Sequence, residues 1–142
     1  MTLKAQFFDE LWKVSRRVRT LFDARVRAKG LTLARARTLI LLAKKDGMTQ
    51  TELADALEIE GPTLVRLLDG LEKQELIERR PVVGDRRAKQ IALSVAGQKE
   101  AVLVGEIVQD VRTDVLKDVS EDDLKAALRV FHAMARNIEA AS

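Results

Sequence analysis

The chain has 142 residues, about the size of one domain, and its 46% hydrophobic and 33% charged residues are typical of a soluble globular protein. No apolar run approaches the roughly 18 residues that a membrane span needs, and the N-terminus lacks the apolar block of a signal peptide. The sequence contains no cysteine and has a formal net charge of +3. We therefore expect a cytoplasmic protein without disulfides or membrane contact.

The N-terminal segment has the apolar spacing of a long amphipathic helix, and Val26 extends this pattern towards Lys29. The apolar stripe comprises Phe7, Leu11, Val14, Val18, Leu21 and Phe22. From Lys13 to Lys29 the sequence has seven cations but only one anion. The arginines of this segment do not all share one helical face, so we expect them to pair with an acidic region rather than form a second nucleic-acid surface.

Two short helices are predicted in the middle of the chain. The first covers Met48 to Leu57, where Thr49 and Glu52 have the spacing of a capping box. The second follows Gly61-Pro62, because proline is tolerated at the start of a helix. Its inward face is predicted to consist of Leu64, Leu67, Leu68 and Leu71, which leaves Thr63, Arg66 and Gly70 free to face a ligand. Two helices joined by a short turn are the helix-turn-helix arrangement that enters the major groove of DNA.

A basic β-hairpin is predicted directly after these helices. Strand-like runs at 76–83 and 90–93 flank a turn segment at 84–89. From Arg79 to Lys89 there are five cations and one anion, a net charge of +4 compared with +3 for the whole chain. Positive charge is concentrated in this way where a protein contacts nucleic acid. Helices and hairpin together predict a winged helix-turn-helix domain.

The C-terminal third predicts two further helices, with Ser94 and Ser120 as their N-caps. Their apolar stripes are Val104, Ile107, Val108, Val111 and Val115 in the first, and Leu124, Ala127, Leu128, Phe131, Met134, Ala135 and Ile138 in the second. Residues 100–142 carry nine anions and five cations, which complements the basic first helix. Three such stripes exceed what one winged helix can cover, so a dimer interface is the simplest explanation.

The predicted fold is therefore mainly α-helical with a small β-hairpin wing. Residues 31–93 are assigned to a winged helix-turn-helix DNA-binding domain. Residues 1–30 and 94–142 are assigned to a helical dimerisation region.

Segments 59–69 and 85–89, together with Leu71-Glu72, resemble the MarR family of bacterial regulators and, within it, the SlyA branch. The resemblance implies a homodimer whose two winged helices read the halves of a pseudo-palindromic operator in double-stranded DNA. It also implies that Pro62, Thr63, Val65 and Arg66 lie at the base-reading end of the recognition helix. Asp85 and Arg87 match the D-x-R signature of the wing, in which the arginine enters the minor groove and the aspartate helps to hold the wing.

Elementary chemistry is consistent with these roles. Arg66 has the donors for a bidentate contact to a guanine edge, and Arg87 in a narrow minor groove would read DNA shape. Thr63 and Val65 can pack on thymine methyl groups, whereas Arg86 and Lys89 are expected at phosphates. The alternatives are an Arg66–Asp69 ion pair along the helix and a pair between Asp85 and a nearby arginine. The complete predicted set is Thr49, Gln50, Pro62, Thr63, Val65, Arg66, Asp85, Arg86, Arg87 and Lys89.

The resemblance further implies a small aromatic or phenolic acid as effector, bound between the dimer helices and the winged domain. The residues predicted to border that site are Phe8, Trp12, Arg16 and Ala36. Packing of Trp12 in the dimer interior is the alternative. Many relatives have a glutamine and an aromatic residue after the position of Leu31-Thr32, whereas this chain has Arg35-Ala36, which weakens any transfer of ligand identity.

The sequence gives no support for catalysis. His132 is the only histidine, cysteine and tyrosine are absent, and there is no glycine-rich phosphate loop. We therefore expect no enzymatic activity, no metal site and no cofactor. The sequence favours a repressor that a small molecule releases from DNA. The alternatives are a SlyA-like activator that displaces other DNA-bound proteins, and a helical adaptor that uses its winged helix for protein contacts.

Overall fold

The computed structural model describes the backbone from Met1 to Ser142 and every side chain except that of Arg86. Helix α1 runs from Leu3 to Ala28, and its N-cap Thr2 accepts the N–H of Ala5 at 3.1 Å. Helix α2 (Leu33–Lys44) begins in the same way, because Thr32 accepts the N–H of Arg35. Both threonines satisfy an amide that has no partner inside its helix.

The two central helices lie close to their predicted positions. Helix α3 (Gln50–Leu57) is capped by Thr49, whose hydroxyl accepts the Glu52 N–H while the Glu52 carboxylate accepts the Thr49 N–H. This confirms the capping box. Helix α4 spans Gly61–Lys73, so its proline lies within the first turn. The predicted start of the first of these helices at Met48 is wrong, because Met48–Thr49 form a short strand, β1.

A three-stranded antiparallel sheet of order β1-β3-β2 forms the wing. Strand β2 covers Ile77–Val82 and strand β3 covers Asp85–Leu93. The predicted turn at 84–89 is therefore too long: the strands are joined at Val83-Gly84, where Gly84 has a φ of 85°. The second strand begins at Asp85 rather than Gln90, because a turn this tight lets pairing resume at once.

The register of the wing changes near its tip. Pro81 is opposite Lys89, whereas the next residue of β2, Val82, is opposite Asp85, so residues 86–88 form a bulge on β3. Pro81 lies on the edge strand of the sheet, where a missing N–H costs no ladder hydrogen bond. A bulge re-aims the side chains of its strand, which is common at functional edges of sheets.

The structure divides into two compact units, Met1–Val111 and Arg112–Ser142. The core of the first unit brings α2, α3, α4 and the sheet together; its largest fully buried side chains include Leu39, Leu53, Leu64, Leu68, Leu71 and Ile91. Helix α5 (Val95–Val115) begins after Ser94, whose Oγ accepts the N–H of Gly97 and donates to the Glu75 carbonyl. A Cβ at Gly97 would lie 1.9 Å from the Leu76 carbonyl oxygen, so only glycine permits this approach of α5 to the sheet.

The second unit contains the end of α5 and helix α6 (Glu121–Ala141), whose N-cap Ser120 accepts the N–H of Asp123. No residue of α6 is buried, and its apolar side chains Leu128, Phe131 and Ile138 are exposed. The observed fold confirms the predicted mainly helical class with a small wing. Among the described residues, no helix is both long enough and apolar enough to cross a membrane.

Candidate nucleic-acid interface

Helix α4 has one buried face and one exposed face. Its leucines at positions 64, 68 and 71 are buried, because they recur at the spacing of one helical face. Pro62, Thr63, Val65 and Arg66 are exposed at its N-terminal half. Gly70 is half-buried, and a Cβ there would lie 2.9 Å from Nη2 of Arg35, which lies over this part of the helix. The usable surface of α4 is therefore its first two turns.

Arg66 is free in this structure. Among the side chains that the structure describes, none forms an ion pair or hydrogen bond with Arg66, and its guanidinium is exposed. The alternative pair with Asp69 is not formed; Asp69 accepts from Arg79, at 2.8 Å between Oδ1 and Nη2. An unpaired guanidinium retains all of its donors for another molecule.

The wing presents a second cationic group. Asp85 Oδ1 accepts the backbone N–H of Arg87 at 3.0 Å, which stabilises the start of β3. The side chains of Arg87 and Lys89 are exposed on the same strand. Arg86 is also predicted to contact DNA, but its side chain lies outside the described part of the chain. The side chain of Asp85 forms a backbone hydrogen bond here, and among the described side chains no arginine forms the alternative ion pair with it.

The sequence predicted a uniformly basic hairpin, but both arginines of strand β2 lie close to acidic side chains. Arg79 is only 23% exposed and forms ion pairs with both Asp69 and Glu72 of α4. Arg80 lies 3.7 Å from Asp46 and 3.8 Å from Glu78, distances that suit ion pairs but not hydrogen bonds. Much of the +4 charge counted in the sequence is therefore neutralised within the molecule.

The alternation of side chains along β2 would have predicted from the sequence that Arg79 is partly buried. Side chains alternate between the faces of a strand, so Arg79 shares a face with Ile77, which is buried. Sequence reasoning missed this signal because the counted charge included every cation of the segment. The sequence offered Asp69 only as a partner for Arg66, and the ion pairs of Asp69 and Glu72 with Arg79 were not predicted.

Comparisons with known proteins show the family of the chain. The sequence model of the MarR family matches residues 29–88. The crystal structure of transcriptional regulator PA3341 is 40% identical over 94% of this chain and 98% of that chain, with a TM-score of 0.84. The chain belongs to the MarR family.

Two other solved structures share the fold. The Staphylococcus aureus MepR–DNA complex is 26% identical, covers 96% of this chain and 98% of that chain, and has a TM-score of 0.77. Staphylococcus aureus MarR in complex with salicylate and kanamycin is 21% identical, covers 99% of this chain and 95% of that chain, and has a TM-score of 0.84. At this lower identity the second structure shows the fold alone.

At the start of α3, this MarR-family chain uses one predicted DNA contact for its own structure. The Thr49 hydroxyl accepts from the Glu52 N–H and lies 3.2 Å from its carboxylate, so it is largely occupied by the capping box. The hydrogen bond from Lys45, followed by those from Thr49, holds the pKa of Glu52 below its usual range. Gln50, the first residue of α3, is half-buried.

The four predicted ligand residues do not form one surface. Phe8, Trp12 and Arg16 follow at intervals of four residues on α1 and are exposed, with Trp12 66% exposed. Ala36 is fully buried in the core of the first unit, so a ligand on the surface of α1 cannot contact it. The assignment of Ala36 as a ligand contact stays a prediction.

Two cavities in the first unit lie away from those residues. One, of about 410 Å³, is lined by Leu42, Ala43, Asp46, Arg80, Leu93, Gln98, Ala101 and Val102. The other, of about 260 Å³, is lined by Lys29, Leu31, Glu100, Leu103, Glu106, Ile107 and Asp110. Neither of these two cavities includes Phe8, Trp12, Arg16 or Ala36 in its lining.

Proposed function

We propose that this MarR-family protein is a sequence-specific regulator of transcription that binds double-stranded DNA as a homodimer. The observation that carries the proposal is the free, exposed Arg66 on the first turns of α4, beside Thr63 and Val65. The exposed Arg87 and Lys89 of the wing supply a second contact. The DNA complex of MepR, a 26% identical relative, supports the same use of the fold.

In the proposed mechanism, helix α4 contacts the bases and the wing contacts the minor groove and the phosphates. Helix α4 enters the major groove, where a bidentate contact from Arg66 to a guanine is worth roughly 1–3 kcal/mol of discrimination. The wing follows the backbone, with Arg87 in the minor groove and Arg86 and Lys89 at phosphates. Wing contacts add affinity on many sequences, whereas the helix contacts select one of them.

The proposed homodimer accounts for apolar surface that a single chain leaves exposed. In the first unit they include Leu3, Phe7 and Val14 of the N-terminal half of α1. In the second unit they include Leu128, Val130, Phe131 and Ile138 of α6. Contiguous exposed apolar patches mark interaction surfaces, and most homodimers have two-fold symmetry. A two-fold dimer presents two α4 helices to a pseudo-palindromic operator.

We also propose that the protein represses its target and that a small aromatic acid releases it. The face of α1 that carries Phe8, Trp12 and Arg16 combines aromatic rings with a cation, which suits an aromatic carboxylate. Because Trp12 is the only tryptophan, its fluorescence reports this face alone. Titration with a simple aromatic acid such as benzoate should change that emission and lower DNA affinity together. A change in neither would refute this effector site.

The experiment that tests DNA binding is selection of bound sequences from a random duplex pool at near-physiological salt. A two-fold symmetric motif with half-sites about one helical turn apart is the expected result. Transcription in vitro from a promoter that overlaps this motif then gives the sign, and repression is expected. Weak, salt-sensitive binding without enrichment of any motif would contradict the proposal.

A further inference from the structure

Arg79 links the wing to the recognition helix. Its Nη2 lies 2.8 Å from Oδ1 of Asp69, and its Nη1 lies 3.3 Å from Oε1 of Glu72. The two acids are three residues apart on α4, so one guanidinium contacts both. The Nε of Arg79 is buried and has no hydrogen-bond partner among the described residues. The side chain is therefore held by its two carboxylates.

Asp69 has a second cation within reach along the helix. Arg66 precedes it by three residues, and residues at this spacing are neighbours on a helix surface. Arg66, Arg79 and also Lys73, four residues after Asp69, are thus within reach of one carboxylate, and in this structure Arg79 contacts its Oδ1. Glu72 is six residues from Arg66, which places it outside that neighbourhood and makes it a natural control.

We propose that Arg79 is a positioning residue for DNA recognition: by occupying Asp69, it keeps Arg66 free to reach a base edge. The inference rests on the proposed function, because it assigns Arg66 to base readout. Removal of Arg79 leaves Asp69 available, and Arg66 then pairs with it along α4. Cognate DNA must break that pair before Arg66 can bind guanine, whereas random DNA gains little from Arg66 in either case. The ratio of cognate to random affinity is the quantity that Arg79 protects.

A purely structural link makes a different prediction. If Arg79 only fastened β2 to α4, every variant that lacks it would lose specificity equally, whichever carboxylate remained. The two roles are therefore separated by removing one acid at a time from a chain that already lacks Arg79. R79Q/D69N and R79Q/E72Q have the same net charge, and both lack the link.

The experiment measures affinities of the full-length protein for the selected motif and for a scrambled duplex at fixed salt. R79Q should lower the ratio roughly 1.4- to 2.3-fold per half-site, the population effect of one ion pair at this spacing. R79Q/D69N should restore the ratio, and R79Q/E72Q should not. Equal restoration in both, or in neither, would overturn the inference.

Two further variants, D69N and R66A, distinguish a failure of this inference from a failure of the proposed function. D69N alone removes the carboxylate that would capture Arg66 and breaks one ion pair of the link; it should leave the ratio unchanged, and a lowered ratio would favour the structural role. This variant also serves if R79Q does not fold, as judged by thermal unfolding. R66A must itself lower the ratio: an unchanged ratio would refute base readout by Arg66. A lowered ratio in R66A without selective rescue by D69N would refute only the role of Arg79.

Discussion

Replacement of Arg66 and of Arg87 by alanine should weaken DNA binding in two different ways. Arg66 is exposed on α4 with no ion pair among the described side chains, so its replacement leaves no carboxylate unpaired and should not destabilise the fold. Loss of one bidentate contact to guanine removes roughly 1–3 kcal/mol, or about 5- to 150-fold in affinity for the cognate half-site. Affinity for scrambled DNA should change little.

Arg87 should show the opposite pattern. Its guanidinium is on the wing, where a contact to the minor groove and its phosphates depends on charge and groove width. Arg87→Ala should therefore lower affinity for both duplexes, and it should reduce the slope of log K against log salt by about one per subunit. Arg66→Ala should change that slope less than it changes specificity.

The assay is fluorescence anisotropy with cognate and scrambled duplexes over a series of salt concentrations. Arg129→Ala is the matched control, because it removes the same charge from an exposed site on α6, outside the winged helix. Its affinities should remain close to those of the unchanged protein. Equal losses on both duplexes for Arg66→Ala and Arg87→Ala would refute the division of roles between helix and wing.

Three further predictions concern stability and assembly. Leu68 is fully buried, so Leu68→Ala should cost about 2–5 kcal/mol in denaturant unfolding, whereas Val83→Ala, at a fully exposed site, should cost almost nothing. Folding lowers the pKa of Glu52, so the ionised carboxylate contributes its full stabilisation above the ordinary pKa of 4.5. That stabilisation is lost as pH falls through the lower pKa of the folded state. Acidification below about pH 4.5 should therefore destabilise Glu52→Gln less than it destabilises the unchanged protein. Phe131 is exposed on α6, and Phe131→Glu should shift sedimentation from dimer to monomer; an unaltered dimer would exclude this face from the interface.

The assignment of residues 1–30 and 94–142 to one dimerisation region stays a prediction of the sequence. It depends on the contact between two copies of the chain. The exposed apolar faces of α1 and α6 are the surfaces that we expect to form this contact. The sedimentation experiment on Phe131→Glu tests half of that assignment, and a similar change at exposed Val14 tests the other half.

The local features of the fold were determined by the sequence itself. The Thr49–Glu52 capping box, the leucine face of α4 and the serine cap of α6 were each predicted and are each observed. Their interactions span three to seven residues, so the residues that form them are neighbours in any helix, whatever the rest of the chain does.

Only the tertiary structure decided which cations remain free. Arg79 meets Asp69 ten residues away, because β2 packs beside α4, and this contact takes away a charge that a count along the sequence assigned to DNA. Arg35 lies over Gly70 for the same kind of reason, and Ala36 is buried because α2 packs into the core. A sequence gives the residue types and their local spacing. The pairing of one charge with another depends on which elements meet, and that is set by the packing of the whole unit.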